Sequence, residues 1–236
     1  MKPIIGIVEW PYLDKDEDVI YEVLTPIIEW VVRSGGRPIG IFPTMIEDYV
    51  AKRLRDIREM TDMEIKDLHD SLSMCDAIIK PGAIKIYDHE RKIYDYALKR
   101  DVPYLGICAG MQIMAYHNKP NVQNERNNSH IVHHSKEDYA HKIYIPEKTK
   151  LHQILGKDEI MVNSRHNFHV PDSGIKTIAA YAEDGVIEAL SDQSRLFHLG
   201  LQWHPELLPV EDENSQAIFG SFIDAAKVAK VYTKKK

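Results

Sequence analysis

Tyr104-Leu105-Gly106-Ile107-Cys108-Ala109-Gly110-Met111-Gln112 is the stretch on which the reading of this chain turns. A strand-like apolar run enters Gly-x-Cys-x-Gly and leaves into a helix-compatible run, Met111 to His117. This is the strand–elbow–helix pattern that presents a nucleophile at the top of a sheet, with Cys in place of Ser. Small residues two before and two after the nucleophile let the chain turn sharply without a Cβ clash. The helix that follows points its N-terminal N–H groups at the sulfur, which favours thiolate over thiol. The competing reading is a small buried core residue, the common fate of a free Cys. Both glycines and the preceding strand favour a reactive thiol.

Outward from the elbow, short apolar runs alternate with helical patterns. Ile4 to Val8, Ile39 to Phe42, Asp76 to Lys80 and Val102 to Ile107 read as strands. Val19 to Val32 reads as a helix, with Val19, Val23, Ile27 and Val31 four apart on one face. Pro26 implies a kink or a late start there, and Ser34-Gly35-Gly36 stops it. Residues 46–60 are helical in composition, and His89 to Arg100 is a helix. Strands separated by such helices form a parallel sheet with crossovers. Beyond Met111 to His117 the character changes. Residues 118–140 are polar and aperiodic, as in a long surface loop. His141 to Ile145, Glu159 to Val162, Ile175 to Tyr181, Val186 to Leu190 and Phe197 to Gln202 are β-type runs. Ser215 to Val231 reads as a closing helix whose Ile218, Phe222 and Ala225 face the core. With no internal repeat and no interdomain linker, residues 1–236 are expected as one α/β domain. It is a three-layer sandwich around a central, mostly parallel sheet, with a frayed tail at 231–236.

Composition narrows the function. The 236 residues are 44 % hydrophobic and 28 % charged, with a formal net charge of −6. That describes an ordinary globular protein without the basic field that nucleic-acid binding needs. Two cysteines, Cys75 and Cys108, are too few for a disulfide scaffold and point to a reducing compartment. No signal-peptide pattern and no membrane-length apolar run is seen, so a cytoplasmic protein is expected.

Gly200-Leu201-Gln202-Trp203-His204-Pro205-Glu206 is the second informative segment. Pro205 favours extended backbone at His204, and in extended chain residues two apart face the same side. His204 and Glu206 can then approach one site together. A His that moves a proton, held by a carboxylate, is what a Cys nucleophile needs for acyl transfer. Without Cys108, a structural His would be the better reading.

Together the two segments resemble the class I glutamine amidotransferase superfamily. The chain looks most like its free-standing gamma-glutamyl-peptide hydrolases, especially the gamma-glutamyl-GABA hydrolase type. Lys2-Pro3-Ile4-Ile5-Gly6-Ile7, Gly35-Gly36-Arg37-Pro38 and Val162-Asn163-Ser164-Arg165-His166 also look like that group. The resemblance implies a flavodoxin-like sheet and a triad of Cys108, His204 and Glu206. Cys108 would attack a gamma-glutamyl amide to give a thioester, His204 would protonate the leaving amine and then activate water, and Glu206 would orient His204. Backbone N–H groups of Ala109 and of Gly82 or Ala83 would form the oxyanion hole. Gln112, Asn163, Ser164 and His166 would face the glutamyl moiety. For Gln112, local hydrogen bonding in a first helical turn is the alternative; for Ser164 and His166, a structural role at a strand end.

Two departures bear on specificity. Ala109 stands where the closest group often has Arg, and Arg165 where it usually has an apolar residue. Arg165 is therefore expected to contact a substrate carboxylate. No metal and no cofactor are expected. His130, His133, His134 and His141 read as a solvated loop rather than a metal site, because adjacent histidines diverge and no Cys is near. Cys75 reads as a buried, inert thiol. The expected partner is a small gamma-glutamyl substrate, with neither nucleic acid nor membrane. The oligomeric state stays open, a homodimer included. No synthetase domain is fused to the chain, which favours a hydrolase over a glutaminase subunit feeding a separate synthase partner. A non-enzymatic binding protein is a further alternative, against which the complete triad argues, and a DJ-1-like elbow-cysteine fold is another, against which His204-Pro205-Glu206 argues.

Overall fold

Alternation at period two builds the centre of the molecule. A computed structural model describes residues 1–16, 18–45, 58–117, 125–126, 131–174 and 176–233. In β1 (Ile4–Val8), Ile5 and Ile7 enter one core while Val8 enters another. In β5 (Ala77–Lys80), Ala77 and Ile79 face the first core and Ile78 the second. β6 (Tyr104–Ile107) divides Leu105 and Ile107 from Tyr104 in the same way. Strands buried on both faces need a helical layer on each.

Helices α1 (Thr25–Arg33), α5 (Lys150–Leu155) and α6 (Glu213–Thr233) supply Ile27, Leu151 and Phe222 to the first core. Helices α2 (Asp62–Leu72), α3 (Asp88–Arg100) and α4 (Ala109–Tyr116) supply Leu68, Ile93 and Ile113 to the second. The remaining strands are β2 (Trp10–Leu13), β3 (Val19–Glu22), β4 (Arg37–Ile41), β7 (Glu125–Arg126), β8 (His141–Tyr144), β9 (Glu159–Val162), β10 (Phe168–His169), β11 (Thr177–Ala182), β12 (Ile187–Ser191) and β13 (His198–Leu201). The nine-stranded sheet runs β4-β1-β5-β6-β13-β12-β11-β8-β9. β4 through β13 in that order are parallel; β12, β11, β8 and β9 continue it antiparallel. The three-layer α/β class is as expected, with the parallel character confined to one half of the sheet.

Several expectations change. The single helix from Val19 to Val32 is instead β3 followed by α1. Val19 to Glu22 pairs antiparallel with Trp10 to Leu13. Pro26 sits in the first turn of α1, where its missing N–H is not needed; any helix extended backward would clash its ring with the carbonyl of Glu22. α2 and α5 are short, polar-surfaced helices that the periodicity did not disclose. Of the helix expected at 46–60, residues 46–57 lie outside the described residues. Within 118–140, residues 118–124 and 127–130, with His130, also lie outside them. His133 and His141, however, are 2 % and 7 % exposed, so the solvated-loop reading fails for them, while His134 is exposed as expected. The expected tail is helical to Thr233. Cys75 is buried as expected, and burial together with Asp76 pushes its thiol up to about 12. No described helix is long and apolar enough to cross a membrane.

Candidate active site

Register brings the two sequence motifs together. β6 lies between β5 and β13, with Leu201 opposite Ile107 and Lys80 opposite Gly106. The carboxyl ends of three adjacent parallel strands therefore deliver the Pro81-Gly82-Ala83 loop, Cys108 and His204 to one place, the position where open α/β sheets bind ligands.

The elbow at Cys108 is sharp. Its φ of 52° and ψ of −104° lie in a region costly for a residue with a Cβ. The turn is held by Cys108 N–H donating to the Leu201 carbonyl at 2.7 Å, and by the Cys108 carbonyl accepting from Met111 and Gln112 N–H at 3.0 and 3.1 Å. Gly110 packs so closely on the Lys80 carbonyl that a Cβ there would collide with backbone. Gly106 faces the Gly110 backbone in the same way, at 2.5 Å from a built Cβ. Both glycines are thus required by close approach of the elbow to the ends of β5 and β6.

His204 follows β13. Its Nδ1 is 2.7 Å from Glu206 Oε1, and the pair is 8 % and 2 % exposed. The extended-chain argument does not hold here: His204 (φ −113°, ψ 82°) lies outside the β region. Pro205–Leu207 forms a one-turn 3-10 helix, and that turn folds Glu206 back onto the imidazole. Asn163 clamps the backbone of His204 from both sides. Its amide donates to the His204 carbonyl at 2.7 Å, and its side-chain oxygen accepts from His204 N–H at 2.9 Å. Ser215 Oγ donates to the Pro205 carbonyl at 3.0 Å.

The other edge of His204 faces Cys108. A Cβ built on Gly82 would lie 2.8 Å from His204 Cε1, 3.5 Å from His204 Nε2 and 3.4 Å from Cys108 Cβ. A side chain at position 82 would therefore displace the His204 ring. Burial disfavours charge on His204, but the Glu206 carboxylate and a hydrogen bond with Cys108 outweigh it and raise the imidazole to about 10. Between a carboxylate and a sulfur, His204 is thus held toward its protonated form.

A cleft of about 190 Å³ opens on this pair. Gly82, Ala83, Cys108, Arg165 and His204 border it, with Trp10, Glu22, Leu24 and Ile84 completing its wall. Of the other sequence candidates, Ala109 is buried at the first position of α4. Gln112 Nε2 donates to the Phe168 carbonyl and to Gln202 Oε1, both at 3.2 Å. Asn163 acts on the His204 backbone, and Ser164 Oγ donates to the His133 carbonyl at 2.9 Å. His166 lies in a separate buried cluster with His133 and Glu188 rather than on the cleft. The structure thus brings Cys108, His204, Glu206, Gly82, Ala83 and Arg165 together. Gln112, Ser164 and His166 do not line the cleft.

Sequence reading missed the β2–β3 hairpin as a cleft wall. There Trp10 Nε1 donates to Glu22 Oε1 at 2.8 Å. It also missed a buried brace under the loop. Lys80 and Glu90 are 1 % and 0 % exposed and 2.9 Å apart, and Lys80 Nζ donates to the Pro81 carbonyl at 2.7 Å. A lysine closing an otherwise apolar strand, Ala77-Ile78-Ile79-Lys80, is the signal that could have found it.

Comparison with known proteins shows the family and agrees with the fold. The peptidase C26 family model matches residues 3–206. A Schizosaccharomyces pombe protein described as a putative glutamine amidotransferase is 29 % identical over 218 residues, covering 86 % of this chain and 81 % of that protein. CTP synthase of Chlamydia felis is 26 % identical over 194 residues, covering 68 % of this chain but 36 % of the synthase. The glutaminase domain of Trypanosoma brucei CTP synthase superposes with a TM-score of 0.68 over 96 % of this chain and 94 % of that one, at 19 % identity. This chain, with its elbow cysteine and histidine–carboxylate pair at the strand ends of a class I glutamine amidotransferase-like sheet, belongs to the peptidase C26 family.

Proposed function

We propose that the chain hydrolyses the amide bond of a small gamma-glutamyl compound, releasing glutamate. The observation that carries this reading is the meeting of Cys108 and His204 on one cleft, with Glu206 behind the imidazole. Cys108 attacks the gamma carbonyl and forms a thioester. Backbone N–H groups of Gly82 or Ala83 and of Ala109 receive the oxyanion. His204 gives its proton to the departing amine, then takes one from the water that cleaves the thioester, while Glu206 keeps its ring in register.

The cleft also offers opposite charges. Arg165 presents a guanidinium whose buried Nε has no hydrogen-bond partner among the described residues. Glu22 presents a carboxylate. Together they suit the α-carboxylate and α-ammonium of a glutamyl group. The apolar wall of Val8, Trp10, Leu24 and Ile84 suits an aliphatic leaving amine.

A glutaminase that passes ammonia to a synthase is the second reading. It is favoured by the CTP synthase relatives, of which the chain spans about a third to a half of the length. The test is hydrolysis of glutamine, gamma-glutamyl-GABA, other gamma-glutamyl amines and gamma-glutamyl peptides by wild type and Cys108→Ala. Turnover of gamma-glutamyl amines that is lost with Cys108 supports the proposal. Turnover of glutamine alone, raised by a co-purifying synthase, selects the second reading.

A further inference from the structure

Four buried side chains outside the thiol site converge on one point. His133, His141 at the start of β8, His166 beyond β9 and Glu188 in β12 are 2, 7, 3 and 0 % exposed. One nitrogen of each histidine and one oxygen of Glu188 all lie within 4.8 Å of one another. His133 Nδ1 is 3.2 Å, His166 Nε2 3.4 Å and His141 Nε2 3.5 Å from the same oxygen, Glu188 Oε1. Neither oxygen of Glu188, nor His133 Nδ1, nor His141 Nε2 meets hydrogen-bond geometry with a described partner. Buried polar atoms are rarely left so, because desolvating them without a partner costs free energy.

The outward nitrogens are all engaged. His133 Nε2 is 2.8 Å from Asp184 Oδ2, His141 Nδ1 3.2 Å from the Lys142 carbonyl, and His166 Nδ1 3.2 Å from the Phe168 carbonyl. A carbonyl only accepts, so the outward nitrogens of His141 and His166 carry the proton. In the neutral ring their inward nitrogens then carry lone pairs. Imidazoles tied this way by carboxylate or carbonyl are oriented as metal ligands are. The spacing agrees. A tetrahedron with metal–ligand bonds of about 2.0–2.1 Å has ligand–ligand edges of about 3.3 Å, and the three histidine–Glu188 distances straddle that value.

We infer that His133, His141, His166 and Glu188 form a closed, four-ligand site for a divalent first-row transition metal, zinc foremost. Three imidazoles and one carboxylate suit that class, and a full set of protein ligands marks a structural rather than a catalytic site. Ligating imidazoles are neutral and a ligating carboxylate is ionised, so uptake of the metal displaces any proton held among the four side chains and is pH-dependent. The site clips the segment around His133 to β8, β12 and the strand end that carries Asn163. Asn163 in turn holds the backbone of His204, so the metal braces the catalytic histidine without touching substrate.

The test uses the full chain with Cys108→Ala, which removes the thiol as a rival ligand. Chelator-stripped protein is titrated with zinc against a chromophoric competitor, and bound metal is counted by elemental analysis. One equivalent per chain with Kd below about 0.1 µM is expected. Adding His141→Ala or Glu188→Gln should weaken it at least about 10-fold, while His152→Ala, at a separate surface histidine, leaves it unchanged. Absence of stoichiometric zinc, or an undiminished affinity in Glu188→Gln, overturns the proposal and leaves a proton-linked histidine network. Should the variants fail to fold, X-ray absorption at the zinc edge of the Cys108→Ala protein decides. Three imidazoles with one oxygen support the site, and any other ligand set overturns it.

Discussion

Replacing Glu206 by Gln tests the electrostatics of the His204 pair most directly. The amide keeps the size of the side chain and loses its charge. His204 rises from an ordinary 6.5 to about 10 because Glu206 and Cys108 together overcome burial. A rise of that size is roughly 5 kcal/mol in favour of the imidazolium. A folded-state value raised above the unfolded one stabilises the protein fully below pH 6.5, and the benefit is lost as pH climbs through about 10. Glu206→Gln should therefore lower the unfolding free energy at pH 6 by about 2–4 kcal/mol, as measured by urea denaturation. The gap from wild type should narrow steadily toward pH 10. Making the change in a Cys108→Ala background isolates the share owed to Glu206. In the Cys108 protein, kcat on the best substrate should fall by about 10³–10⁴-fold, since the ring loses its held tautomer and its counter-charge. A gap that does not vary with pH, or a variant retaining more than about a tenth of wild-type kcat, refutes the reasoning.

Other perturbations follow from the same packing. Lys80→Met strands the fully buried Glu90 and should cost about 3–5 kcal/mol; Lys80→Met with Glu90→Leu should recover most of it in the same urea assay. Gly110→Ala drives a Cβ into the Lys80 carbonyl and should destabilise by about 1–3 kcal/mol or more, seen as a lower Tm with loss of Cys108 alkylation by iodoacetamide. Arg165→Ala should raise KM about 10- to 100-fold with little change in kcat; an unchanged KM removes Arg165 from substrate binding.

The elbow was legible because its demands are local. Gly106, Cys108 and Gly110 are consecutive enough that a strand, a sharp turn and a helix can be read from one nonapeptide. His204 and Glu206 were legible by type and spacing, although the 3-10 turn that joins them was not, since Pro205 admits both extended chain and the first turn of a helix. The β2–β3 hairpin was hidden by Val19, Val23, Ile27 and Val31, which keep helical spacing across a boundary that only Pro26 marks. The histidine cluster was misread for a different reason. His133 and His141 were weighed against their sequence neighbours, while their partners lie far along the chain, His166 between β9 and β10 and Glu188 in β12.

By itself, then, the chain sequence determined the α/β class and singled out Cys108, His204 and Glu206 as the candidate site, because hydrophobic period, glycine spacing and residue chemistry act over a few positions. The tertiary structure alone decided which side chains share a cleft and which share a buried centre. Sheet order and register set Gly82 against His204, brought Glu22 and Arg165 to one wall, and gathered three histidines around Glu188. Those are contacts between residues far apart in the chain, and no local pattern encodes them.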